Sequence, residues 1–163
     1  MPRLLLFFLV ICLGCTQSEE VQTDGLLTNS DDYFQFGTVG GFCPTPCNVA
    51  YKLGNNVFFE NTNPQNPTDF SKATLAKLPD TKLALAKDLL AQLPPELLQF
   101  DNKQFGTSKV IVDGQDYVIE LKSKGKVYRW QMPTAFDSRD TVPDYVRLFQ
   151  RRVDETLAQL KKM

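Results

Sequence analysis

Between Tyr117 and Met132 apolar side chains recur at every second residue, and Lys122-Ser123-Lys124-Gly125 interrupts the run. Tyr117, Ile119 and Leu121 fall on one face of the first segment. Tyr128, Trp130 and Met132 fall on one face of the second, with Val127, Arg129 and Gln131 opposite. A period of two is the signature of a half-buried strand, and a short Gly-containing break between two such runs is a hairpin. Tight hairpins force antiparallel pairing. Any fold for this chain must therefore bury one face of an antiparallel ribbon.

The rest of the chain supplies more ribbon and the helices to cover it. Tyr33 to Val39 is aromatic and β-branched, a strand by composition. Val49, Tyr51 and Leu53 alternate, Gly54-Asn55-Asn56 turns, and Val57-Phe58-Phe59-Glu60-Asn61 returns. Asn61 to Thr68 reads as loop, and Phe70 to Lys77 as a short helix or irregular chain. Asp80 is placed as the N-cap of a helix in which Leu85, Leu89 and Leu93 form a stripe widened by Ala86 and Leu90, stopped by Pro94-Pro95. Glu96-Leu97-Leu98 adds one turn. Lys109-Val110-Ile111-Val112 and the Asp113-Gly114 turn pair open a second β section. The last helix is expected to start near Asp140-Thr141, with Pro143 in its first turn and a capping-box-like Asp144. Its stripe is Val142, Val146, Phe149, Val153, Leu157 and Leu160. The expected fold is α+β: a single antiparallel sheet of about 5–6 strands with two amphipathic helices packed on one face.

The chain has 163 residues, a net charge of −1 and no histidine. Near-neutral charge gives a nucleic-acid partner no electrostatic support. Without imidazole, Ser-His-Asp and Cys-His catalysis and histidine-built zinc sites are excluded. No cofactor motif is present: Gly37, Gly40 and Gly41 lack the Lys-Ser/Thr ending of a phosphate loop. The chain is read as non-enzymatic and without a cofactor.

The compartment is legible at the start. Arg3 precedes the apolar run Leu4 to Ile11, which has signal-peptide length and ends in Cys12-Leu13-Gly14-Cys15. This resembles the lipobox of bacterial lipoproteins, in which a small residue precedes the cysteine that is diacylated. Gly14 and Cys15 match; Cys12 and Leu13 depart from the usual residues. The resemblance implies a signal peptide over 1–14, a lipidated Cys15 opening a flexible acidic tether over 15–30, and one α+β domain over 31–163. Thr16, in place of Asp, lacks the inner-membrane retention residue, and Glu19-Glu20 resembles the acidic cluster of surface lipoproteins. The expected location is the cell envelope, lipid-anchored at the outer membrane on its periplasmic side or the cell surface. The ordered part resembles uncharacterised lipoprotein families, which carry no activity over to it.

With Cys12 removed and Cys15 lipidated, Cys43 and Cys47 remain in Phe42-Cys43-Pro44-Thr45-Pro46-Cys47, an even pair in an oxidising compartment. A small structural disulfide is one reading. The other is thiol-redox or Cu(I) chemistry. The three-residue spacing resembles the copper-chaperone relatives of thioredoxin, but their site also needs a distant histidine.

The remaining candidates are weighed by side-chain type. Arg147, Arg151 and Arg152 stand near one helical face and suit a carboxylate or phosphate, or form a solvated face balanced by Asp154 and Glu155. Asp31, Asp32, Asp137, Asp140 and Asp144 fit no EF-hand register and read as caps and turns, so no metal site is assigned. Trp130 is core or, if exposed, part of a partner-binding stripe. The function expected is a membrane-anchored binding module for a protein or envelope component, using the uncovered sheet face or the Cys loop. A purely structural assembly subunit is the further alternative.

Overall fold

The structure, a computed structural model, describes residues 25–40, 48–63, 73–108 and 114–163. In chain order the elements are β1 (Tyr33–Gly40), β2 (Ala50–Gly54), β3 (Val57–Asn61), β4 (Leu75–Lys77), α1 (Asp80–Ala91), a 3-10 turn (Pro95–Gln99), β5 (Asn102–Gln104), β6 (Gln115–Ser123), β7 (Lys126–Pro133) and α2 (Asp144–Lys162). The strands make one sheet in the order β4-β3-β2-β1-β6-β7-β5.

Turn chemistry sets both hairpins where the sequence places them. Asn55 and Asn56 take positive φ, 48° and 56°, and join β2 to β3. Lys124 (φ 52°) and Gly125 (φ 80°) join β6 to β7. Two successive left-handed residues match the twist of the flanking strands, and Asn and Gly adopt that conformation at least cost. The hairpins are then joined by a non-local pair, β1 against β6, with Phe36 opposite Ile119.

The sheet differs from the expected one in two ways. It has seven strands, and β5 runs parallel to β7, so it is mixed rather than antiparallel. Both additions are three-residue edge strands whose residues are all exposed. Such segments bury no face and show no alternation, so their pairing is imposed by the neighbour strand. β4 lies within the Phe70 to Lys77 stretch read as helix or irregular. The Lys109 to Val112 strand and Asp113 lie outside the described residues.

Phe34, Phe36, Tyr51, Leu53, Phe58, Ile119, Leu121, Trp130 and Met132 point to one side of the sheet and form the core with both helices. From α1 come Ala86, Leu89 and Leu90; from α2 come Val146, Phe149, Val153, Leu157 and Leu160. Lys82 Nζ donates to Leu160 O at 2.9 Å, tying the start of α1 to the end of α2.

Both helices start differently from the sequence expectation. Pro79 and Pro143 occupy the N-cap positions, with no side-chain capping bond. Each proline disfavours a helical residue before it, so the chain enters extended. Asp80 and Asp144 become first-turn residues that suit the positive end of the helix dipole. Within the stretch assigned to the tether, Leu26 and Leu27 pack against the core. Their turn is held by Asp32, whose carboxylate accepts from the backbone N–H groups of Thr28, Asn29 and Lys124. Those bonds hold the Asp32 carboxyl below the usual range, the Asn29 N–H foremost.

Candidate functional site: the sheet face away from the helices

Because alternate residues point to opposite sides, the helix-facing set defines the other set. Across its middle Lys77, Phe59, Lys52, Gln35, Glu120, Arg129 and Asn102 stand in register, one per strand from β4 to β5. Tyr33, Lys122 and Val127 form a second row. Among the described residues, both helices pack on the opposite side.

Two groups of contacts organise this face. On the β1–β6–β7 side, Glu120 accepts from Tyr33 Oη at 2.6 Å and from Arg129 Nη1 at 3.1 Å. A carboxylate held by a phenol and a guanidinium is fixed in orientation as well as charge. On the β1–β2 side, Lys52 Nζ lies 4.4 Å from the centre of the Tyr33 ring, a cation–π arrangement. Burial lowers the Lys52 pKa, with Glu120 opposing and Lys122 adding to the shift. Burial, and then the hydrogen bond to Glu120, pushes the Tyr33 phenol well above its ordinary value.

Lys122 pairs with Asp31 at the rim, which lowers the Asp31 pKa. The face thus presents Lys52, Lys77, Lys122 and Arg129 against the largely covered Glu120 and the accessible Asp31, with Phe59, Tyr33 and Val127 between them. Gln35 and Val118 are buried beneath this layer, whereas Val127 is 45 % exposed. Beside the face, Asp116 is fully buried and accepts from Ser108 Oγ and Gln131 Nε2.

The candidates singled out in the sequence are dispersed. Trp130 is completely buried, and its indole N–H is shared by Leu97 O at 3.1 Å and Phe100 O at 3.0 Å. It fastens the 3-10 turn to the sheet and is not a surface residue. Arg147 donates to Asp140 O and lies over the Phe136 ring. Arg152 pairs with Glu155, and Arg151 is exposed. The three arginines form no common clamp. Asp140 accepts from the Thr107 N–H and hydroxyl and from Asp137 N–H, and Thr107 is the main cause of its lowered pKa. Asp137 is bridged by Arg139. No group of three or more metal-ligating side chains converges among the described residues. Cys15, Cys43 and Cys47 lie outside them.

Sequence reasoning missed the Lys77-to-Asn102 row. Local alternation puts Arg129 and Gln131 on the outer face, but the register of β1 against β6 is a long-range property that no local pattern encodes.

No protein-family model matches this chain, and no curated protein is similar to it at a significant level.

Proposed function

We propose that this chain is a membrane-anchored, exported lipoprotein whose folded domain is a non-catalytic binding module. Its binding surface is the sheet face away from the helices, and its partner is a protein of the cell envelope that presents carboxylates. The observation that supports this reading is the in-register row from Lys77 to Asn102. It places cations and an aromatic ring side by side, a composition suited to an interface with an acidic surface. Strands spaced about 4.8 Å apart make the face roughly 30 Å wide, enough for an interface of ordinary size. Tyr33 and Arg129 hold Glu120 in place before any partner arrives, which lowers the ordering cost of association.

Site-specific photocrosslinking in cells tests the proposal. A crosslinker at Phe59 or Val127 should yield one discrete adduct, and one at Leu148 on the exposed side of α2 should not. Lys77→Glu, at an exposed position, should suppress that adduct several-fold while the thermal midpoint stays within a few degrees. Equal adducts from both sides of the molecule, or an adduct indifferent to this charge reversal, would refute the assignment.

A further inference from the structure

A separate depression lies on the helix side, between the Leu27–Asn29 segment, the β2–β3 turn and α1. Its volume is about 410 Å³, within the range of small-molecule sites. Leu27, Leu53 and Leu90 give it an apolar wall, while Thr28, Asn29, Asn55 and Asn56 add polar groups. Leu53 and Leu90 are 2 % and 5 % exposed, so the wall is continuous with the core. Among the described residues Lys87 is the one charged side chain lining it. Among the described residues nothing engages the Lys87 ammonium, neither a hydrogen bond nor an ion pair.

We propose that this cavity binds a small amphipathic carboxylate, its apolar body against Leu27, Leu53 and Leu90 and its carboxylate at Lys87. Three features of the lining select that class. Among the described residues no carboxylate borders the cavity, which disfavours a metal ion or an organic cation. Leu27, half-buried at the rim, offers a hydrocarbon body an apolar contact that a free inorganic anion cannot use. A single unpaired ammonium beside the apolar wall supplies one charge-assisted bond, so a monoanion is matched and a dianion is not. Asn56, at positive φ in the turn, lines the same border. The site is independent of the outer sheet face, and either can stand without the other.

The test uses the full chain with octanoate and phenylbutyrate as probes, each matched by its uncharged amide. Titration followed by backbone NMR should shift resonances of Leu27, Asn56, Lys87 and Leu90 in a saturable way. The amides should bind at least about tenfold more weakly, as a charge-assisted bond implies. Lys87→Gln should weaken the acids by a similar factor and leave the amides unchanged. Lys87→Arg should restore most of the loss. Leu27→Trp, which fills the cavity from its rim, should abolish binding of acid and amide alike while the melting curve remains cooperative. No saturable shift at millimolar acid would overturn the proposal. So would equal affinity for acid and amide, or indifference to Lys87→Gln.

Discussion

The Tyr117 hydroxyl on β6 donates to Asp154 Oδ1 on α2 across 2.6 Å. Tyr117 is 4 % exposed and stands among the core aromatics and leucines, so this bond joins the sheet to the longer helix at the edge of the core. Burial, and then the bond to Asp154, raises the Tyr117 pKa above its usual value. Tyr117→Phe keeps the ring and removes the donor. Asp154 is solvent-exposed and can be rehydrated, so the expected loss is about 1 kcal/mol, read by urea denaturation. A neutral result would show that the bond contributes nothing beyond ring burial.

The same tyrosine predicts alkaline behaviour. The Tyr33 and Tyr117 phenols are raised above 10.0, and Tyr51 is pushed up to about 12, burial being the first cause in each. A pKa higher in the folded than in the unfolded chain means that the folded state holds its proton longer. The associated stability is complete below the ordinary value of 10.0 and is lost as pH rises from there through the folded-state values. The urea midpoint should therefore fall above that pH, and Tyr117→Phe should fall less steeply. Parallel curves for the two proteins would remove Tyr117 from the explanation.

Trp130 makes a stronger demand on the fold. It is fully buried, and it donates to Leu97 within the 3-10 turn and to Phe100 just after it. Trp130→Ala leaves a large cavity and should cost about 3–5 kcal/mol. Trp130→Phe keeps part of the volume but deprives both carbonyls of the indole donor, so its cost should fall between Ala and wild type. A cost below about 1 kcal/mol for Trp130→Ala would contradict a core position.

How much of this was legible in the sequence depended on whether the signal was local. Alternation marked the outward set of β7, Val127, Arg129 and Gln131, and left-handed turn residues marked the ends of both hairpins. Helix periodicity found the buried faces, because Val146, Phe149, Val153, Leu157 and Leu160 recur at 3–4 spacing. What failed was non-local or capped by proline. β4 and β5 exist through neighbours far along the chain, and Asp140 spends its oxygens on Thr107 and Asp137 rather than on a helix start. For Arg147, Arg151 and Arg152 the sequence offered both an anion clamp and a solvated face. Arg147 is engaged by Asp140 O and the Phe136 ring, and Arg152 by Glu155, partners that spacing alone does not specify.

The anchoring expectation rests on Gly14-Cys15 after an apolar run. Cys15→Ser should abolish incorporation of labelled palmitate and release the protein from the membrane fraction. A wild-type protein that takes up no label would end the lipoprotein reading.

For Cys43 and Cys47, the proposed export and lipidation would favour an oxidised pair with a structural role. Alkylation and mass spectrometry on protein taken directly from the envelope should find both thiols blocked. The double serine variant should lose about 1–3 kcal/mol, the modest effect expected of a short loop. Two free thiols, or stoichiometric Cu(I) retained through purification, would favour the redox or copper alternative.

The most local prediction concerns Gly37. In the sequence it reads as part of a glycine-rich stretch that fails as a phosphate loop, and in the structure its role is contact between backbones. It faces Ala50 across the β1–β2 pair, and a Cβ placed on it would lie 2.0 Å from Val49 O and 2.8 Å from Ala50 Cα. Both obstacles are main-chain atoms, so no rotamer change relieves them. The strands would have to separate where Thr38 N–H donates to Val49 O at 2.8 Å. Gly37→Ala normally stabilises a strand by restricting the unfolded chain, but the collision reverses the sign. The expected cost is about 1–3 kcal/mol. Amide exchange should rise first at Thr38 while β6–β7 amides remain protected. A Gly37→Ala protein as stable as wild type, with Thr38 still protected, would show that β1 and β2 do not meet at this register.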